Sequence, residues 1–258
     1  MKKIALLATL ALASAFATAQ NTPIAVNGFN FDGIANGADS SAAGVQGSTT
    51  GVMDSIYDYF TLGFDPAAPT VGLPTTSFVS AANAMTTFQL GPADGNNLLL
   101  LRQANSGQSS GTLNLVTPGS FTSLALLVTG FNGSQPGSYS LNFSSGIPTM
   151  GAFTATDNFN GSGYAISGFG RVSRSDGVFD LAGGTNPRLY EVDITLSPTD
   201  QTRTLTSITF TNNETSGVTY HNIGVFGVSG AGVPVPEPAG LLVVGLGAAF
   251  LARRRRRR

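Results

Sequence analysis

Apolar and polar residues alternate along much of the chain between residues 21 and 232, the pattern of β-strands with one buried face. The alternation is clearest at 113–115, 139–143, 190–196 and 208–210. Two uninterrupted apolar runs, LLLL at 98–101 and LALLV at 124–128, predict strands that are buried on both faces. Turn-forming residues separate the runs: Pro118-Gly119, Gln135-Pro136-Gly137, Gly183-Gly184, Asn186-Pro187 and Ser197-Pro198.

Short strands with frequent turns predict an all-β fold, specifically a single jelly-roll-like β-sandwich over residues 20–232. One segment departs from this period. In MDSIYDYF, residues 53–60, the apolar side chains follow helical spacing, which predicts an isolated turn of helix. No internal repeat or long linker divides residues 20–232, so one domain is the simpler interpretation.

Composition narrows the class of protein. The chain has 33 Gly, no Cys and 10% charged residues, so the fold uses no disulfides and stays soluble through neutral polar groups. Between residues 21 and 238, five arginines oppose 14 acidic residues, a net charge of −9. This excess of acid argues against nucleic-acid binding, which requires cations facing the phosphates.

The first 19 residues are typical of a secretory signal peptide. Lys2 and Lys3 precede an apolar run over residues 4–12. The small residues Ala17 and Ala19 then predict cleavage before Gln20.

The last 26 residues, 233–258, contain an apolar segment that is short for a membrane anchor. Residues 239–252 would form a hydrophobic helix of about 21 Å, against roughly 30 Å of bilayer hydrocarbon. Six arginines follow and are expected to stay on the cytoplasmic side. These are Arg253, Arg254, Arg255, Arg256, Arg257 and Arg258.

Pro236-Glu237-Pro238, the apolar segment and the terminal arginines together resemble the PEP-CTERM sorting signal of biofilm-forming Gram-negative bacteria. The resemblance implies export by the Sec translocon, signal-peptidase cleavage and transient association with the inner membrane. It also implies that exosortase recognises the tripeptide and that the body passes to the cell surface or extracellular matrix. The body resembles β-sandwich ectodomains that accompany such tails.

Candidate catalytic residues are few. Gly107-Gln108-Ser109-Ser110-Gly111 fits the G-x-S-x-G nucleophile elbow, which requires a preceding strand and a following helix. Here a strand-like run follows instead. The one histidine of the chain, His221, lies in a polar turn, so we favour a chance match over a hydrolase.

Metal chemistry has similarly little support. One His and no Cys exclude the usual transition-metal spacings. The stretches at 30–33 and 176–180 are rich in oxygen ligands, and structural Ca²⁺ is one interpretation of them. Asx-type turns are the other, which we favour because neither stretch fits the 12-residue calcium loop. We therefore expect no cofactor.

The strongest binding candidate is the segment 155–177, which mixes aromatic, amide, acidic and arginine side chains. Sugar sites use this mixture, because aromatic faces stack on pyranose rings while polar groups bind the hydroxyls. The candidate glycan contacts are Asp157, Asn158, Phe159, Tyr164 and Arg171. The alternative, which we favour, is a glycine-rich loop whose aromatic side chains belong to the core.

Three functions fit the sequence. The first is a non-catalytic surface or matrix protein that binds exopolysaccharide. The second is a carbohydrate-active or proteolytic enzyme on the same export route, and the third is a structural coat protein without a specific ligand. Lack of a nucleophile, base or metal set favours the first over the second.

Overall fold

The computed structural model describes residues 20–37, 39–103, 107–159, 161–181 and 184–233. The described chain is all-β, as predicted, with only two short helices. The strands are β1 (Thr22–Pro23), β2 (Val26–Asn27), β3 (Ile34–Ala35), β4 (Tyr57–Phe60), β5 (Phe78–Val79), β6 (Thr87–Phe88), β7 (Leu99–Leu101), β8 (Ser110–Gly119), β9 (Phe121–Gly130), β10 (Gln135–Phe143), β11 (Thr149–Ala155), β12 (Tyr164–Ser167), β13 (Arg171–Ser173), β14 (Phe179–Asp180), β15 (Arg188–Thr195), β16 (Leu205–Asn212) and β17 (Ile223–Gly232). The helices are α1 (Ala42–Ser48) and α2 (Pro198–Gln201).

Two antiparallel sheets form the sandwich. The first has the order β1-β17-β9-β15-β12, with β7 paired to β17, and the second has the order β11-β10-β16-β8-β2. Their facing sides share one buried cluster, to which Leu126 of the first sheet and Ile208 of the second belong. Alternation along β8, β10, β15 and β16 therefore turns one side of each strand toward this core, as the sequence predicted.

Along β9 and β7, the first sheet is buried on both faces. Along β9, Leu124, Leu126 and Val128 enter the core of the sandwich. The intervening Ala125 and Leu127 enter a second cluster on the opposite face. The uninterrupted apolar run at 124–128 thus has the two-sided burial that was predicted for it, and 98–101 divides between the two clusters in the same way.

The second cluster is covered by a third layer that the sequence did not predict. It contains the small sheet β14-β13-β4-β3 and the hairpin β5-β6. Tyr59 of β4 and Phe88 of β6 contribute to the cluster from this side. An open cavity lies where this layer meets the sandwich.

The predicted helical turn at 53–60 is wrong, because Tyr57–Phe60 forms β4. Tyr59 and Phe60 point into different apolar clusters, so both faces of this strand are buried and its apolar residues imitate a helical period. The predicted turn at 135–137 is also wrong, since these residues begin β10. Pro136 is tolerated there because it lies at the end of the strand and its carbonyl still accepts from the Asn213 N–H at 2.9 Å.

Candidate functional site

An open cavity of about 550 Å³ lies between the third layer and one end of the sandwich. Chain segments far apart in sequence contribute to it: the approach to β4, the turn after β9, the segment after β11, the start of β13 and the loop before β17. The lining residues are Asp54, Ser55, Tyr57, Asn132, Gly133, Asp157, Asn158, Phe159, Arg171, Val218 and His221.

Arg171 is the central side chain of the cavity. Its Nη1 lies 3.1 Å from Asp54 Oδ2, and its Nε lies 2.9 Å from Asp180 Oδ2. The guanidinium carbon lies 3.8 Å from the centre of the Tyr57 ring and 4.5 Å from that of Phe159. Two carboxylates and two aromatic rings therefore fix this arginine, and each ring uses a face for a cation–π contact.

Asn158 holds the wall of the cavity in place. Its side chain is buried, and Nδ2 donates to Asp54 Oδ2 and to the Tyr59 hydroxyl, both at 3.3 Å. Its backbone N–H donates to Gly130 O at 2.9 Å. Asn158 thus ties the segment after β11 to both the first sheet and the third layer, which makes it a positioning residue.

Asp157 and Phe159 present their side chains at the cavity surface, each only partly buried. The Phe159 N–H donates to Asp157 Oδ1 at 3.4 Å, and the Asp157 carbonyl accepts from the Tyr190 hydroxyl at 2.8 Å. These contacts use one oxygen of the Asp157 carboxylate. The backbone of this segment is therefore well anchored behind side chains that face the opening.

The cavity contains more acid than base. Burial raises the pKa of Asp54, and the opposing effects of the Asn158 hydrogen bond and the Arg171 charge are smaller. Asp54 and Asp157 stand against one arginine in the lining. His221, in the lining and half-buried, has Nδ1 3.3 Å from Ser216 Oγ.

Of the five predicted glycan contacts, four line this cavity: Asp157, Asn158, Phe159 and Arg171. Tyr164 is not in the lining; it lies in β12, with its ring centre 5.3 Å from the guanidinium carbon of Arg188. Sequence reasoning did not assign Asp54, Tyr57, Asn132 or His221 to the site. No local motif links these residues, since Asp54 and Arg171 are 117 positions apart and meet only in the folded chain.

The serine motif at 107–111 does not have the geometry of a nucleophile elbow. Ser110 and Gly111 begin β8, so a strand follows the serines where an elbow requires a helix. Ser110 Oγ donates to Phe210 O at 3.0 Å, a contact across the second sheet. The expectation of a chance match is consistent with this arrangement.

The two oxygen-rich stretches form local hydrogen bonds. Asp176 Oδ1 accepts from the Val178 N–H at 3.1 Å, which is an Asx turn, and Asp180 pairs with Arg171. Asp32 Oδ1 accepts from Asn97 Nδ2 at 2.7 Å, and burial raises the pKa of Asp32 to about 6. Within the described ranges, no group of three or more His, Cys, Asp or Glu side chains is close enough to hold a metal ion.

A family model of the PEP-CTERM protein-sorting motif matches residues 234–257. The chain therefore carries this motif, which confirms the resemblance seen in its C-terminal sequence. The motif indicates a protein that exosortase processes and that is exported to the cell surface or the extracellular space. None of the curated proteins compared with the chain matches it.

The residues that would carry the sorting chemistry lie outside the described residues. They are Pro236, Glu237, Pro238, the arginines at 253–258, and Ala17 and Ala19 before the predicted cleavage point. Gln20 is described and exposed. Among the helices of the described residues, none has the length and apolar character needed to cross a membrane. The predicted C-terminal helix at 239–252 lies outside this part of the chain.

Proposed function

We propose that this protein is a non-catalytic component of the cell surface or extracellular matrix that binds exopolysaccharide in the Arg171 cavity. On this proposal, the Sec translocon and signal peptidase deliver it across the inner membrane of a Gram-negative cell. The tail pauses there until exosortase removes it. The export and sorting part rests on the motif at 234–257.

One observation carries the binding proposal: the fold gathers aromatic rings, carboxylates and amides from distant segments around a single opening. Tyr57, Phe159 and Asn132 supply ring edges and an amide, and Asp157 supplies a carboxylate. Carbohydrate sites combine apolar ring surface with donors and acceptors for hydroxyl groups in this way. The cavity size is within the range of small-ligand sites.

The charges support an uncharged or amino-bearing sugar over a uronic acid. Arg171 is already paired with Asp54 and Asp180, so it has little capacity to neutralise a ligand carboxylate. The remaining carboxylate of the lining, Asp157, would repel an anionic polymer. We therefore place neutral polysaccharides ahead of acidic ones as the ligand class.

The contacts of Asp54 give it a structural role in the cavity wall. Asp54 Oδ2 accepts hydrogen bonds from both Arg171 Nη1 and Asn158 Nδ2, so the protein itself holds this oxygen. A general acid or base needs a free carboxyl within reach of the substrate. A fixed and paired carboxylate is more consistent with shaping a binding surface.

The test is retention of the purified protein on the insoluble exopolysaccharide of its own host, compared with a neutral glucan and with alginate. We expect retention on the host polymer and on neutral polymer, with little change between low and high salt. Phe159→Ala should weaken retention by roughly five- to tenfold, because the apolar contact of one aromatic ring contributes on the order of 1 kcal/mol.

Tyr164→Ala is the matched control, since Tyr164 is also an aromatic residue of the same segment beside an arginine but lies outside the cavity lining. It should retain full binding. Equal loss in both variants would locate binding elsewhere. Absence of retention on every polymer would instead favour a structural coat protein without a glycan ligand.

A further inference from the structure

The second sheet has one long edge that is left open in the described structure. β11, Thr149–Ala155, pairs with β10 on one side only. Unpaired N–H and C=O groups along a sheet edge readily accept another strand. β11 carries no charged residue or proline, the features that proteins commonly use to block such an edge.

The hydrogen bonds of β10 show which backbone N–H and C=O groups of β11 point away from the sheet. The Asn213 N–H donates to Pro136 O, so the even-numbered residues of β10 turn their backbone groups toward β16. The odd-numbered residues must then bond to β11, and they lie opposite its odd-numbered residues. The backbone groups of Met150, Ala152 and Thr154 therefore point outward.

The other edges of the two large sheets are short or covered. β1 and β2 have two residues each. The outward carbonyl of Ala165 in β12 accepts from the Ala81 N–H at 2.8 Å. In β7, the Asn30 side chain donates to Leu100 O at 3.1 Å and accepts from its N–H at 2.8 Å. β11 is thus the exception among these edges.

The side chains of β11 are as open as its backbone. Met150 is 77% exposed, and neighbouring Ile147 is 83% exposed, which are the two highest values among the large apolar residues of the described chain. Ala152 and Thr154 are exposed as well. Apolar side chains beside an unpaired edge gain from being covered when a strand is added.

We propose that β11 pairs with β11 of a second copy of this chain, in antiparallel orientation about a twofold axis at Ala152. In this register Ala152 lies opposite Ala152, and Met150 of each copy lies opposite Thr154 of the other. The three outward residues of each copy exchange six backbone hydrogen bonds in total. These bonds pair the outward N–H and C=O groups of Met150, Ala152 and Thr154. The two five-stranded sheets become one continuous sheet of ten strands.

We assign this edge to a second copy because β11 is complementary to itself: about the twofold axis, each outward N–H of one copy faces an outward C=O of the other, and no charge lies in the strand. Each body is acidic, with five arginines against 13 acidic residues in residues 20–233, so copies repel one another over most of their surface. β11 is a stretch without charge, where two copies can approach. The contact is the same patch on both copies and therefore closes as a dimer.

The interface is small. Three residue pairs and one exposed methionine cover less surface than the roughly 1,200 Å² typical of stable complexes. We therefore expect weak, reversible pairing that becomes significant at the high local concentration of a surface layer or matrix.

The test is sedimentation of the full chain, in mild detergent, over a series of concentrations. Wild type should convert reversibly from monomer to dimer, and the amide of Ala152 should exchange more slowly as the dimer forms. Ala152→Lys places two lysines opposite each other at the axis and should weaken dimerisation by at least about tenfold. The lysine points to solvent in the monomer, so the fold should persist.

Thr211→Lys is the matched control, because Thr211 lies in the same row and on the same sheet but two strands further from the edge. It should dimerise like wild type. Mixing Ala152→Lys with Ala152→Glu should restore dimers, since the charges at the axis then attract. A monomeric wild type, unchanged association in Ala152→Lys, or no restoration on mixing would each overturn the proposal.

Discussion

At the scale of single residues, Asp58 in β4 is a carboxyl group buried with little compensation. Its side chain is fully buried, and burial raises its pKa to about 7 against the opposing effects of hydrogen bonds from Thr49 and Met53. Arg174 Nε lies 3.9 Å from Asp58 Oδ2, which has no hydrogen-bond partner. The carboxylate is therefore costly to ionise in the folded protein.

A raised pKa in the folded state implies that stability falls as pH rises. Between about 4 and about 7 the folded protein keeps a proton on Asp58 that the unfolded chain releases, so the free energy of unfolding decreases across this window and levels above it. Asp58→Asn should remove the part of this decrease that Asp58 causes, at most about 4 kcal/mol, and leave the smaller part that Asp32 causes. Chemical denaturation at a series of pH values measures it.

Asp176→Asn serves as the control. Asp176 is exposed, and its hydrogen bonds lower its pKa, so removing this carboxylate should leave the decrease between pH 4 and 7 in place. A wild-type stability that rises steadily from pH 4 to 7 would contradict the role assigned to Asp58.

At the scale of elements, Arg174 joins three parts of the third layer. Its Nη2 donates to Thr49 O at 3.2 Å and its Nε donates to Thr49 Oγ1 at 3.1 Å, just beyond the end of α1. The same side chain follows β13 and faces Asp58 of β4. α1 has only seven residues, two of them glycine, so it depends on such tertiary contacts.

Arg174→Ala should lower the free energy of unfolding by on the order of 1–3 kcal/mol, because helix-end carbonyls lose a donor and Asp58 loses its nearby cation. Introducing Asp58→Asn into this variant should recover part of the loss. Arg174→Lys keeps the positive charge but loses the forked set of donors. Its free energy of unfolding should therefore lie between those of wild type and Arg174→Ala. Strict additivity of Arg174→Ala and Asp58→Asn would show that the two side chains are not coupled.

The elements also show how far sequence patterns can be followed. The period of two identified β8, β10, β15 and β16, each of which has one apolar side. The uninterrupted apolar run at 124–128 identified β9. β4 was misassigned because Tyr59 and Phe60 are buried in different clusters, which removes the period-two signal. Helix α1 was missed because AAGVQGS buries only Val45 and has no apolar stripe.

At the scale of the whole molecule, the sorting motif at 234–257 indicates processing by exosortase. Glu237→Gln should prevent removal of the C-terminal segment, since exosortase is expected to read Pro236-Glu237-Pro238, and the protein should remain with the membrane. Glu214→Gln makes the same chemical change outside residues 234–257 and is the matched control. Intact-mass measurement of the exported protein should show loss of residues 1–19 and of the arginine cluster, and recovery of surface protein that still ends in Arg258 would contradict this.

The sequence by itself determined the all-β class, the two strands buried on both faces and the sorting motif. Each of these properties can be read from residues that are close in sequence, because strand periodicity and linear motifs are local patterns. It also singled out the segment around Asp157 and Phe159 from its mixture of side chains. It left Asp54 and Tyr57 unassigned, since both meet Arg171 only in the folded chain, and Asp54 and Arg171 are 117 positions apart.

Only the tertiary structure decided which of these side chains meet. It placed Arg171 between two aromatic rings and two carboxylates, and it separated Tyr164 from that cavity. It also left β11 as an open edge while covering β7 and β12. The reason is common to all three cases: a local pattern specifies which face of a strand is buried, whereas the neighbour of that strand is chosen by the packing of the whole chain.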